Sequence, residues 1–505
     1  MEQSGFVVAL DLGTSKIVGL MGRRNEQGVI SILASESIPS DNCVKHGVVY
    51  NIDEAAGKIK KIINLLENKS GRKIGKVYVS VAGKSLRAIE HTLSKDLGSE
   101  TEITFSVIDQ MEQQARQIRP EFLTNYSVVA PEIFLDGRYD EDPIGKNASV
   151  VEGRYRLIVG RPNIKSSLTK VITEKNNLEI AGFIVGPVAA GAIVLDESEK
   201  QAGCALIDFG AGTTTLSIYK EGLLRYMIVI PFGGRTITKD VQELGFVDNA
   251  AESYKIKYGR VGKDKNKQAT TTSEVDVKEL NKVIQLREEE IVLNIINQIK
   301  ESGFAGELEA GIIMTGGACQ LNGLEEFLEE KAQMKVRKGA AKRLYINNVS
   351  DLLQNPAYTQ CLGLLLFANE NCERKEYSNT INYFDYNNRA TSPGSGSVSS
   401  RGSTQEPSYR DNYSERPITK DIEETTQSYR RPERFYEEHP EPQREEIYED
   451  EIEEKVEATQ KRRIEPIKDI RERPIRREKD KKSPGLFDIF GKIQNLGGTM
   501  FKDED

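Results

Sequence analysis

Histidine is nearly absent: three residues in 505, His46, His91 and His439, leave little material for a zinc centre or a histidine-based active site. Cysteine is scarce as well. Cys43, Cys204, Cys319, Cys361 and Cys372 are scattered, odd in number and without a pair at metal-ligand spacing, so reduced thiols in a cytoplasmic protein are the expectation. The opening Met1-Glu2-Gln3-Ser4-Gly5 has no basic region ahead of its apolar run, which argues against a secretory leader. There is no excess of positive charge either: 78 acidic against 70 basic side chains give a net charge of −8, which argues against a general nucleic-acid role. Neither a Gly-x-x-x-x-Gly-Lys-Ser/Thr run nor a Gly-x-Gly-x-x-Gly opening a dinucleotide fold occurs at the candidate phosphate loops. The apolar fraction, 38%, is below the globular average and is depressed by one segment.

What is present is a spaced pair of glycine-threonine loops. Asp11-Leu12-Gly13-Thr14-Ser15-Lys16 follows the apolar run Phe6-Val7-Val8-Ala9-Leu10, and Asp208-Phe209-Gly210-Ala211-Gly212-Thr213-Thr214-Thr215 follows Cys204-Ala205-Leu206-Ile207. Both runs are too short for helices and read as strands ending in a carboxylate. Glycine lets the backbone turn sharply and approach a phosphate, whose oxygens then accept from main-chain N–H groups and from hydroxyls. An aspartate beside a phosphate makes physical sense when a cation, most simply hydrated Mg²⁺, lies between the two anions. Asp11 and Asp208 are therefore the candidate metal residues, acting through water. Gly13, Thr14, Ser15, Lys16, Gly210, Gly212, Thr213 and Thr214 are candidate phosphate contacts. A third glycine pair, Gly316-Gly317, follows Gly311-Ile312-Ile313-Met314-Thr315 and precedes Ala318-Cys319-Gln320-Leu321-Asn322-Gly323-Leu324; it suits the close approach of a flat base or ribose.

In this order the motifs resemble the actin-like ATPase superfamily, with its sugar kinases and 70-kilodalton chaperones: two phosphate motifs, then an adenosine motif at Gly316 and Gly317. Gly186-Pro187-Val188-Ala189-Ala190-Gly191-Ala192 looks like the helix connecting the two lobes, and residues 358–368 look like its counterpart. Within the superfamily, Pro231-Phe232-Gly233-Gly234, Thr238-Lys239-Asp240 and Ala251-Glu252-Ser253-Tyr254-Lys255 resemble the FtsA family of bacterial cell-division proteins. The resemblance implies adenosine contacts from Gly234, Glu252 and Lys255; the last two are three apart and share a helical face.

The implied fold is α/β, an actin-like two-lobed ATPase with an inserted small α+β subdomain, followed by a disordered tail and a C-terminal amphipathic helix. Residues 1–82 and 161–196 are expected to form one lobe, with 83–160 as the insertion. Residues 197–235 and 312–371 form the other lobe, and 236–311 its distal subdomain. Within the insertion, 85–92, 126–129 and 155–159 read as strands and 107–118 as a helix. Residues 372–482 alternate acidic and basic side chains with Pro, Ser and Gln, and read as a disordered tether.

At the chain's end Ser483-Pro484 supplies a helix cap and a first-turn proline. Leu486, Phe490, Ile493 and Met500 then share one face, flanked by Ile489, Leu496 and Phe501; with Phe487 these are the candidate membrane contacts. Asp488, Lys492, Asn495 and Thr499 lie opposite. Apolar runs here fall far short of the ~20 residues a spanning helix needs, so an interfacial helix is expected, helped by the Arg- and Lys-rich stretch 471–482. A helix docking on protein instead stays open, since Gly491, Gly497 and Gly498 weaken it and Asp503-Glu504-Asp505 sets acid beside it. Inserting large side chains at ~1.5–3 kcal/mol each is opposed by roughly 1 kcal/mol per ordered residue, so one anchor is marginal and a filament of anchors is not.

The resemblance implies ATP and Mg²⁺ as cofactors. It also implies self-association into filaments, the C-terminal peptide of the tubulin-like protein FtsZ bound at the distal subdomain, other divisome proteins, an anionic membrane surface, and residence at the division septum on the cytoplasmic face of the membrane. In the chaperone branch an acid just before the connecting proline helps position the attacking water. Here that place is Gly186, and with Asp11 and Asp208 holding the cation no strong candidate base remains; slow or negligible hydrolysis is expected. The alternatives are an actin-fold small-molecule kinase, which would need a catalytic aspartate and a hydroxyl-binding pocket, and a pilus-assembly ATP-binding adaptor. A chaperone would require a folded substrate-binding domain after the ATPase.

Overall fold

The computed structural model describes residues 5–263 and 275–374. Residues 375–482 of the candidate tether and the candidate membrane contacts from Leu486 to Phe501 lie outside the described residues; Cys372, at the tether's expected start, is buried, with its N–H donating to Phe6 O at 2.8 Å.

Two sheets repeat one motif. In the first, Val7–Leu12 and Lys16–Arg24 form an antiparallel hairpin, and Val7–Leu12 pairs in parallel with Lys76–Val81 on its other side. Glu179–Val185, Ile30–Pro39 and Ile346–Asn347 complete six strands. In the second, Cys204–Phe209 and Thr214–Lys220 form the hairpin, and Cys204–Phe209 pairs in parallel with Ile312–Thr315. Central strands buried on both faces read as continuous apolar runs rather than as alternation, which is why the short stretches ahead of each glycine loop were legible. The mixed α/β architecture and the two-lobed expectation agree.

Helices cover the sheets through ordinary end signals. Ile52–Ser70 starts at Asn51, whose side chain accepts from the Glu54 N–H, and stops at Gly71, which is left-handed (φ 68°) and donates to Glu67 O; Ile59, Ile62, Ile63 and Leu66 face the core. The two connecting helices, Gly186–Val194 and Thr359–Phe367, cross at small residues: a Cβ on Gly363 would stand 2.1 Å from Ala189 O. Thr359–Phe367 packs its buried Cys361, Leu362, Leu364 and Leu365 with the core of the six-stranded sheet, and the Arg24 guanidinium donates to Leu365 O and Leu366 O. The distal part of the second lobe carries Gly234–Gln242, Asp248–Tyr258 and Val277–Glu301, which share a separate core with the second sheet.

Residues 87–160 contribute long strands, Arg87–Glu102, Thr124–Leu135 and Asn147–Gly160, with the helix Phe105–Gln117 over a third core around Met111, Tyr155 and Leu157. The strands run well past the 85–92, 126–129 and 155–159 expected from sequence, because beyond those points one face is solvated and the apolar signal fades. Their sheet joins the second lobe's edge strand through one pair, Ile228 with Arg87. Among the described residues no helix is long and apolar enough to cross a membrane. All five cysteines are buried and unpaired.

Candidate functional site

Each glycine loop is the turn of a β-hairpin. Gly13 N–H donates to Lys16 O at 3.0 Å and Gly210 N–H to Thr213 O at 2.9 Å. The amides of Thr14, Ser15, Ala211, Gly212 and Thr213 donate to no group among the described residues, which leaves each turn with a set of unpaired donors suited to an anion. The two turns face one another: a Cβ on Gly212 would lie 2.6 Å from Thr14 Oγ1.

The third motif and the distal helices close on the second hairpin. Gly316 (φ 86°) presses its backbone against the Asp208 carboxylate, and a Cβ there would stand 2.2 Å from Asp208 Oδ1 and 2.5 Å from Phe209 O. Gly234 N–H donates to Gly210 O at 3.0 Å and Arg235 N–H to Ala211 O at 2.7 Å, while a Cβ on Gly234 would lie 3.1 Å from that of Ala318, one residue beyond Gly317. Lys255 Nζ donates to Gly234 O, to Thr238 Oγ1 and to Glu252 Oε2 at 2.9, 2.9 and 2.7 Å. An ammonium has three donors. In this arrangement Lys255 therefore braces Gly234 and Glu252, and of the pair it is Glu252 whose side chain is the more exposed, 37% against 12%. Burial pushes the Lys255 ammonium below its ordinary range, the Glu252 charge opposing.

Asp11 and Asp208 end equivalent strands. Burial raises Asp11 above the ordinary carboxylate range, against the opposing hydrogen bond from Ser80 and the charge of Lys16. Asp208 is pushed up to about 6, first by burial, with the Asp11 charge adding and the Gln360 hydrogen bond opposing. Two carboxylates that each resist ionisation and repel one another favour a cation between or beside them. Among the described residues no group of three His, Cys, Asp or Glu side chains could hold a metal, so a cation at this pair would need further oxygen ligands, such as water or a phosphate. The residues present therefore fit a hydrated Mg²⁺ bound with an anionic ligand.

The contacts above bring Gly13, Thr14, Gly210, Gly212, Gly234, Glu252, Lys255, Gly316, Asp11 and Asp208 together, and Lys16 Nζ sits 3.7 Å from the Tyr358 ring centroid. Ser15, Thr213 and Gly317 adjoin these residues in the chain, whereas Thr214 is fully buried and its hydroxyl donates to Phe232 O at 2.9 Å, so that hydroxyl is already engaged within the protein. Sequence reasoning missed Ser80, whose hydroxyl donates to Asp11 Oδ1 at 2.5 Å, and Gln360, which donates to Asp208 Oδ2. It also missed the hairpin of Val44–Lys45 and Val48–Val49, whose turn reaches the second glycine loop. His46, at φ 47°, places Nδ1 2.7 Å from Gly212 O, and Gly47 N–H donates to Thr14 Oγ1 at 3.1 Å. A carbonyl only accepts, so His46 carries its proton on Nδ1 in this contact. None of these residues stands in a glycine motif; a signal existed only for Gln360, which lies in the stretch singled out as a connecting helix.

With the geometry in hand, the comparisons are consistent. The pattern of the family described as "Cell division protein FtsA" matches residues 205–363. The chain is similar to the cell division protein FtsA of Neisseria meningitidis serogroup B, 30% identical over 378 residues, covering 72% of this chain and 90% of the relative. It is similar to that of Porphyromonas gingivalis at 29% over 381 residues, covering 72% and 78%. Among solved structures, the PilM-PilN type IV pilus biogenesis complex superposes with a TM-score of 0.53 at 16% identity, covering 72% of this chain and 98% of that one, a likeness of fold.

Proposed function

The chain belongs to the cell division protein FtsA family, and on that premise we propose that it is an ATP-binding, self-polymerising protein that tethers the FtsZ ring to the inner face of the cytoplasmic membrane and helps recruit divisome proteins. The observation that carries the reading is the convergence of three glycine motifs on the carboxylate pair Asp11 and Asp208. Asp11 and Asp208 would hold Mg²⁺ through water, and the ion would offset the triphosphate's charge against the two carboxylates. The free amides of the two turns, with the hydroxyls of Thr14 and Thr213, would bind the phosphates. Gly316 and Gly317 would let the adenosine approach the backbone, and Glu252, braced by Lys255, would accept from the sugar or base. No side chain in the motifs is placed as a strong base, so tight binding with slow or negligible hydrolysis is expected.

Residues 236–311 are proposed to take the C-terminal peptide of FtsZ, and 83–160 to serve self-association and divisome partners. Residues 483–502, outside the described residues, are proposed as the peripheral membrane anchor at the septum. One such anchor is marginal; polymerisation controlled by ATP would multiply many into a stable attachment. The test is co-sedimentation of the full-length protein with anionic liposomes, with and without MgATP, beside a variant ending at Lys482. ATP-enhanced sedimentation that is lost on truncation supports the reading. Full-length protein left in the supernatant under every condition would overturn the membrane half, and an FtsZ peptide that fails to bind would remove the tether.

A further inference from the structure

Three consecutive residues at the start of the second connecting helix each touch a different glycine motif. The Tyr358 ring lies against Lys16 of the first hairpin. The Thr359 hydroxyl, buried, is 2.9 Å from Thr315 Oγ1, one residue ahead of the third motif, and 2.9 Å from Pro356 O. Gln360 Nε2 donates to Asp208 Oδ2 at the second hairpin. The other carboxylate oxygen, Oδ1, lies against the Gly316 backbone. Asp208 is thus boxed between a glycine and an amide, and rotating it away breaks the bond to Gln360.

The seat of that amide exists because residue 186 lacks a side chain. A Cβ on Gly186 would stand 2.4 Å from Gln360 Oε1 and 3.1 Å from its Cδ. Gly186, at the start of one connecting helix, and Gln360, at the start of the other, therefore form one device. Residue type matters here. An amide N–H can orient a carboxylate without neutralising it, whereas a lysine or arginine would compete with a cation for the same oxygens, and a carboxylate would repel them.

We propose that Gln360 is a positioning residue for the cation–nucleotide site, holding Asp208 in the orientation that receives a hydrated divalent cation carrying a nucleoside triphosphate, with Gly186 keeping its place open. This rests on the ATP reading above. The Thr359–Phe367 helix also packs on strands of the first sheet, so the contact ties that helix to the end of a second-sheet strand.

The test measures ATP dissociation constants of the full-length protein by calorimetry, in Mg²⁺ and in EDTA, with thermal unfolding beside it. Gln360→Met keeps the length and removes the donor, and is expected to weaken ATP binding in Mg²⁺ by about tenfold or more while leaving the EDTA value and the melting temperature unchanged. Gly186→Ala, which displaces the amide without altering residue 360, should show the same Mg²⁺-specific loss. The double variant Gly186→Ala/Gln360→Ala should lose no more than the larger single. Equal Mg²⁺ and EDTA losses, or a Gln360→Met variant with wild-type affinity in Mg²⁺, overturns the proposal while the ATP reading stands. A wild-type protein that binds no ATP in either condition overturns both. Should Gly186→Ala fail to fold, Gln360→Met decides alone.

Discussion

Asp11 and Asp208 occupy equivalent places, each at the end of a central strand and just ahead of a glycine turn, yet their carboxylates are held by different elements. Asp11 accepts from Ser80 on Lys76–Val81, the parallel neighbour in its own sheet. Asp208 accepts from Gln360 at the start of the Thr359–Phe367 helix, and its second oxygen meets Gly316. The first support comes from the adjacent strand of one sheet. The second comes from two different elements, the start of a helix and the glycine turn after a neighbouring strand. Two copies of one motif are thus held by different kinds of support.

The comparison breaks most severely at Gly316. Its positive φ and its approach to Asp208 leave no room for a side chain, and Gly316→Ala should cost ~3 kcal/mol or more in stability and abolish ATP binding, measured by denaturant unfolding and calorimetry. Next come the carboxylates. Asp11→Asn and Asp208→Asn should each lose roughly 100-fold in affinity for MgATP and little for ATP in EDTA, because the change removes the anion that faces the cation. Ser80→Ala sharpens the contrast: it should weaken MgATP binding by about tenfold, measured by calorimetry, and Gln360→Met should lose a similar amount from the other carboxylate.

An effect on stability alone is expected away from the carboxylate pair. Glu288 is 2% exposed within the distal core, its Oε1 has no partner, and burial pushes it up to about 8 from the usual 4.5. The folded protein therefore keeps a proton that the unfolded chain releases, so this group's contribution to stability falls as pH rises from about 4.5 to about 8 and is level above that. Glu288→Gln should be near neutral at pH 5 and stabilising by about 2 kcal/mol at pH 9, read from urea midpoints. No gain at pH 9 would mean that the carboxylate is satisfied there.

Much of the site was legible because it is contiguous. A strand, its carboxylate and its glycine turn lie within a few residues, and the residue types alone report close backbone approach and anion binding. The connecting helices were legible by composition, since small residues such as Gly186, Ala189 and Gly363 mark where two backbones must meet. Ser80 and Gln360 were not. They stand 69 and 152 residues from the carboxylates they hold, in a strand and a helix whose apolar neighbours dominate the pattern. Lys255 shows a subtler gap: its spacing from Glu252 gave the shared face, but not that all three donors are taken within the protein.

The sequence by itself determined the two hairpin turns, the carboxylate at each, the glycines that bring backbone to ligand, and the order of elements that marks the family, because each is set by local stereochemistry over a few residues. Only the tertiary structure decided that the turns face one another, that His46 bridges them, that Lys255 is a brace, and that Gly186 makes room for Gln360. Those depend on where two sheets and two crossing helices come to rest against each other, and close packing in three dimensions leaves no periodic trace along the chain.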